Sequence, residues 1–210
     1  DHCYSFDKVK EAVDLGYDSA IFDGAKLPLE ENIKITKECV DYAKSKGGEV
    51  LIEGESGYIG SSSKLLDELP VGAATDKLSF TTAEDANRFV SETGVDLFAP
   101  AVGNIHGTLK VGHDPNLDID RIKEIKQAIG VPLVLHGGSG TVDSDFVKAI
   151  AAGVSIVHIN TEIRVAWKKA LILSLQEDQE EVAPYKILKN SLIAVSEVVE
   201  KRLKLFNRMK

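Results

Sequence analysis

Apolar residues recur along this chain with two alternating periods. Segments with three- and four-residue spacing, as at Phe6, Val9, Ala12 and Val13, carry one apolar stripe and predict amphipathic helices. Between them stand short, near-continuous apolar runs, the pattern of strands covered on both faces. One unit repeats five times. Helix SFDKVKEAVDLG precedes YDSAIFDG, and EENIKITKECVDYAKSKGG precedes EVLIEGESG. TAEDANRFVSETG precedes VDLFAPAVGNIHG, DIDRIKEIKQAIG precedes VPLVLHGGSG, and SDFVKAIAAG precedes VSIVHINTE. Glycines at 16, 47, 94, 130 and 153 fall where a left-handed residue is expected just past each helix. From about Thr161 the pattern turns helical throughout (IRVAWKKALILSL, SLIAVSEVVEKRLKLF), with QEDQEE as a solvated connection.

Alternating helices and strands predict an α/β fold with a parallel sheet, whose right-handed crossovers put every strand tip on one rim. A closed (β/α)8 TIM barrel and an open doubly wound sheet both fit. The barrel is favoured because chemically suggestive residues sit at almost every tip, whereas an open sheet gathers them at one switch point. Five complete units leave room for three more strands, and the opening DHCYSF reads as a strand end meeting a helix. The first strands are therefore expected ahead of Asp1. With no linker in view, residues 1–210 read as a single barrel domain, about 161–210 being its last helix and a C-terminal helical extension.

Charge narrows the function classes. Lys and Arg total 25 against 33 Asp and Glu, a net charge of −8, which argues against a nucleic-acid or anionic-membrane binder. No apolar run is long enough to span a bilayer. Cys3 and Cys39 lack metal or redox spacing and read as free thiols of a cytoplasmic protein.

The tips carry the candidate chemistry. Three of the five histidines close tips: His2, His106 and His136. Three imidazoles with an open fourth position suit a catalytic zinc-type ion, or cobalt. His113, in KVGHDPN, reads as solvated. Asp1 beside His2 is an acid/base, a helix N-cap, or a partner that orients a metal ligand from behind. Asp23 ends one strand, and Glu53 and Glu55 share a face of the next. Such acids need either a metal or a lysine or arginine partner. The turn Gly137, Gly138, Ser139 would let backbone N–H groups approach an anion, with Asn160 and Thr161 supplying donors at the next tip.

Taken in order, DH–SF, FDGAKLPLEENI, IEGESG, NIHG, LHGGSG and HINTEIR resemble the class II metal-dependent ketose-bisphosphate aldolases over nearly the whole chain. The resemblance implies a barrel acting as a homodimer or homotetramer in carbohydrate metabolism. It implies zinc-dependent cleavage of fructose- or tagatose-1,6-bisphosphate, with a sodium or potassium ion near the phosphate in some members. Carried over by position, it makes His2, His106 and His136 metal ligands and Asp1 the acid/base. Asp23 and Glu55 become acids of an alternative or second metal position. Gly107, Gly137, Gly138 and Ser139 become the phosphate cradle, with Asn160 and Thr161 beyond. His158 replaces the family's usual asparagine at a substrate-touching position. The segment after Glu55 lacks the family's acidic, glycine-rich loop, for which Asp67 or Glu68 could stand in. Two other readings remain: another metal-dependent sugar-phosphate lyase or epimerase, and a non-catalytic sugar-phosphate-binding subunit.

Overall fold

The computed structural model describes residues 1–208. Five strands form one parallel sheet: β1 (Ser19–Phe22), β2 (Leu51–Ser56), β4 (Leu97–Pro100), β6 (Leu133–Leu135) and β7 (Val154–Val157). They lie in that order, each paired in parallel with the next. Cys3 adds a single parallel bridge outside β1, opposite Phe22, so the opening residues run as one more strand end. Helices α1 (Phe6–Asp14), α2 (Leu29–Ser45), α3 (Ala83–Thr93), α4 (Ile119–Ala128) and α5 (Asp143–Ala152) cover the sheet's outer face. A second, two-stranded sheet of β3 (Leu65–Leu66) and β5 (Thr108–Leu109) lies in the rim loops.

Strand alternation sorts side chains between two environments. Ala20, Phe22, Ile52, Phe98, Leu133 and Leu135 point outward and join Val9, Val40, Phe89, Ile122, Ile125 and Phe146 of the helices in the main core. Leu97, Ala99 and Val134 form a separate inner cluster. The sheet curls around that inner side, where Ser19, Ile21, Leu51, Glu53, Leu97 and Ile156 line a common hollow with Asp1 and His158.

Local signals place the helices. Ser5, Thr82 and Asp118 accept the N–H groups of Lys8, Asp85 and Arg121, capping α1, α3 and α4. Because Ser5 caps α1, Asp1 is not its N-cap. Gly16, Gly47, Gly94 and Gly153 take positive φ beyond their helices, as expected. Gly130 does not: α4 ends at Ala128 and buried Ile129 turns directly into extended backbone, so no left-handed residue is needed.

Beyond β7 come α6 (Thr161–Glu177), α7 (Pro184–Ile187) and α8 (Lys189–Phe206). Buried Arg202 ties α8 inward, its guanidinium 2.6 Å from Glu162 and 2.8 Å from Asp143. The last two residues of the expected extension lie outside the described residues. Cys3 and Cys39 are free, and burial pushes the Cys39 thiol up to about 12. Among the described residues no helix is long and apolar enough to cross a membrane.

Candidate metal centre

All the strand tips open on one rim, and the candidate residues meet there. His2 precedes the Cys3 bridge, Asp23 follows β1, and Glu55 ends β2. His106, His136 and His158 follow β4, β6 and β7. His2 adopts φ 56°, a left-handed conformation uncommon for a residue with a Cβ. In this conformation its ring centre stands 4.7 Å from that of His106 and 4.8 Å from that of His136.

His2, Glu55, His106 and His136 each bring a ligand atom within 4.8 Å of the others. Their hydrogen bonding bears on whether a cation suits the set. Among the described residues four buried side-chain atoms lack a partner, and three are Glu55 Oε2, His106 Nε2 and His136 Nδ1. A buried polar atom left unpaired costs about 1–3 kcal/mol, so three of them on residues of one cluster fit a divalent ion.

Acids hold the histidines from behind. His2 Nδ1 lies 2.9 Å from Asp23 Oδ2, and His136 Nε2 lies 2.6 Å from Glu53 Oε1. A carboxylate only accepts, so these ring nitrogens donate, leaving the lone pairs on His2 Nε2 and His136 Nδ1. Asp23 thus sits behind His2 and outside the four-residue cluster. The acids' partners are imidazoles, not the lysine or arginine considered from sequence.

Electrostatics follow from this crowding. Burial, with His2 and His136 adding to it, lowers His106 to about 4. Burial, then His136, lowers His158 to about 4 as well. Burial, reinforced by the charges of Asp23 and Glu53, raises Glu55 well above the usual carboxylate range. For Asp23 burial works upward, yet hydrogen bonds from His2 and the Ala25 N–H together hold its carboxyl below the ordinary value. A lowered His106 favours the neutral imidazole that can ligate a cation, and crowding by Asp23 and Glu53 leaves Glu55 short of positive charge.

One cavity gathers most of the sequence candidates. Asp1, His2, His106, Gly107, His136, Gly137, Gly138, Ser139, His158, Asn160 and Thr161 line it; Asp23 and Glu55 lie outside its wall. Exposed Asp1 stands at its mouth, Oδ1 3.8 Å from His2 Nε2 and 3.9 Å from His158 Nδ1. Gly137, at φ 64°, passes so close to the loop after β4 that a Cβ would lie 2.3 Å from the Ile105 carbonyl oxygen. The Gly138 N–H is taken by the His158 carbonyl, whereas those of Gly137 and Ser139 have no acceptor among the described residues. Ser139 Oγ accepts from the Asn160 and Glu162 N–H groups at the start of α6, so its own proton remains to be donated.

Several supports of the site lie outside the strand-tip motifs. Asn104 donates to the His136 carbonyl and accepts from Val102 N–H, and Asn32 donates to the Glu55 carbonyl. The only signal was polar residues at positions that should be apolar. Ser63 also lines the cavity and accepts from Asn160 Nδ2 at 3.2 Å. Asp67 is exposed and paired with Lys110 at 2.9 Å, away from the cavity lining. His113 is exposed, as expected.

The family model for class-II fructose-bisphosphate aldolase matches residues 1–210. This chain belongs to that family. A 6-phospho-5-dehydro-2-deoxy-D-gluconate aldolase of Shouchella clausii is 37% identical over 206 residues, covering 98% of this chain and 66% of its own length. A fructose-bisphosphate aldolase of Staphylococcus aureus is also 37% identical, covering 98% and 68%. The crystal structure of the YdjI aldolase from Escherichia coli K12 superposes with a TM-score of 0.73 at 30% identity, over 98% of this chain and 66% of that one. A solved structure from Coccidioides immitis gives 0.80 at 29%, over 98% and 69%. The chain thus spans about two thirds of the length of the curated relatives it matches. Its fold is the α/β, TIM-barrel-like fold of this family.

Proposed function

We propose that the protein is a metal-dependent aldolase that reversibly cleaves a phosphorylated ketose, with fructose- or tagatose-1,6-bisphosphate giving dihydroxyacetone phosphate and glyceraldehyde 3-phosphate. The observation that carries this reading is the convergence of His2, His106, His136 and Glu55, three of them with unpartnered buried side-chain atoms, beside the glycine-rich turn of Gly137, Gly138 and Ser139. His2, His106 and His136 would hold a divalent ion, zinc or cobalt, with Glu55 as a further ligand. Bound there, the ion would act as a Lewis acid toward the ketone oxygens.

The chain's own groups do the rest. Asp23 and Glu53 fix the tautomers and orientations of His2 and His136. Gly137, Ser139 and the start of α6 with Asn160 and Thr161 would hold the phosphate, turning remote binding energy into orientation. Asp1 would take the C4 hydroxyl proton. The O–H electrons then close the aldehyde carbonyl, and the broken C3–C4 pair stays with the ketone fragment. Condensation runs the same proton in reverse. A monovalent sodium or potassium ion near the phosphate belongs to this reading, as does a place in glycolysis in the cytoplasm.

His158 favours a second substrate reading. An imidazole on the cavity wall differs in bulk from a carboxamide, and one relative at 37% identity is named for a different phosphorylated substrate. Product analysis across phosphorylated ketoses separates the two. Oligomerisation through the C-terminal helices is supported by Leu173, Leu192 and Leu203, each more than half exposed. Light scattering after size exclusion tests it, a dimer or tetramer being expected. The deciding experiment for the chemistry is chelation. Removing metal is expected to abolish cleavage, and zinc or cobalt to restore it; full activity without metal refutes the proposal.

A further inference from the structure

The three-histidine cluster leaves one imidazole on this rim unused. His158 stands just after β7 with Nδ1 3.9 Å from Asp1 Oδ1 and its ring centre 4.3 Å from that of His136. Asp1, His136 and His158 each offer a ligand atom within 4.8 Å of the other two. Ligands bonded at about 2.0–2.1 Å around a tetrahedral ion lie about 3.3 Å apart. The ligand atoms must draw in from within 4.8 Å, and Asp1 and His158, both reaching solvent, are the two that can shift toward buried His136. One carboxylate and two imidazoles, with the remaining position open to the cavity, are a borderline-metal donor set.

His136 belongs to both groups. Its ring centre stands 4.8 Å from that of His2 and 4.3 Å from that of His158. Its Nε2 is engaged by Glu53, and its Nδ1 is buried and without a partner. One free nitrogen serves one ion at a time.

We propose that Asp1, His136 and His158 form an alternative position for a divalent cation, exclusive with the position among His2, Glu55, His106 and His136. The binding itself needs no assumption about turnover. Its consequence rests on the aldolase reading: an ion held there occupies the Asp1 oxygen that would receive the substrate's proton, so the protein in that state is inhibited. Of the four rim histidines, His158 is the one whose replacement removes this position while leaving the other ligand set whole.

Cobalt is the probe. Crystals of metal-stripped protein are soaked in stepped Co2+ concentrations, and anomalous maps are recorded at the cobalt edge for the unaltered protein and His158→Asn. The unaltered protein is expected to show two peaks, one in each set, with occupancies that together do not exceed about one. His158→Asn is expected to show only the peak beside His106. A single peak beside His106 at every concentration overturns the proposal, as does an alternative peak that survives His158→Asn. Two peaks at full occupancy overturn the exclusion. In solution, His106→Asn is expected to keep a Co2+ absorption band, and adding His158→Asn to weaken Co2+ binding at least tenfold; unchanged affinity counts against the site. The crystal arm on the unaltered protein decides the matter should the His106 variant not fold. Two cobalt positions in a protein that cleaves no ketose phosphate would refute the aldolase reading and leave this site standing; cleavage with a single position would do the reverse.

Discussion

At the scale of single residues, the rim histidines differ in what surrounds them, and the differences are measurable. Asp1 touches nothing that fixes a tautomer or fills the core; its side chain is exposed at the cavity mouth. On the aldolase reading, Asp1→Ala is expected to lower turnover by about two to four orders of magnitude without unfolding the protein. The metal content of the variant, read alongside its kcat, checks that the loss lies in proton transfer. His106 and His158 carry pKa values of about 4, below the 6.5 of a free imidazole. Between pH 6.5 and 4 the unfolded chain takes up protons that the folded chain refuses, so stability present above 6.5 is lost as pH falls. Glu55 works the other way, its raised pKa giving stability at low pH that fades as pH rises through the folded value. Urea unfolding in chelator at pH 7 and pH 5 tests the balance. His106→Asn is expected to flatten the pH dependence, and an unchanged slope would show that His106 titrates normally. Gly137→Ala places a methyl group 2.3 Å from a backbone oxygen at a positive φ, and is expected to destabilise by about 1–3 kcal/mol.

At the scale of elements, the site is built where helices and strands hand over to one another. The repeat of helix, stop and buried strand was plain in the sequence because each period follows from one backbone geometry. All five sheet strands appear where the apolar runs predicted them. The exception at Gly130 is instructive: a glycine after a helix marks a left-handed stop only where the chain must turn back. At α4 it continues outward in extended form. The short β3–β5 ladder in the rim loops went unread, since two-residue strands leave no period to detect. The tie between α8 and the barrel was equally invisible, because Arg202 meets Glu162 and Asp143 from 40 and 59 residues away. Arg202→Ala strands two carboxylates, one half-exposed, and is expected to cost about 2 kcal/mol in thermal or urea unfolding.

For the whole molecule, the curl of the sheet is the decisive feature. Asp1 and His158 sit at opposite edges of the five-stranded sheet, yet their side chains stand 3.9 Å apart because the sheet bends around its inner face. A metal bound on this rim pins the ends of several strands at once. Binding to the folded state alone stabilises by about 2.7 kcal/mol at a hundredfold excess over Kd. Chelation is accordingly expected to lower the melting temperature, and zinc or cobalt to restore it. A melting temperature indifferent to both would mean that the rim holds no ion.

The sequence by itself determined the order of helices and strands, the parallel sheet, the shared rim, and eleven of the residues that line the cavity. These follow from periodicity, and from motifs whose spacing fixes which tip each residue occupies. Only the tertiary structure decided which acid meets which histidine. It set Asp23 behind His2, Glu53 behind His136, and Glu55 among the ligand atoms, and it placed Asn104 and Asn32 under the site. Those pairings join residues 21 to 83 positions apart. They depend on sheet curvature and loop packing over a few ångströms, which no local pattern encodes.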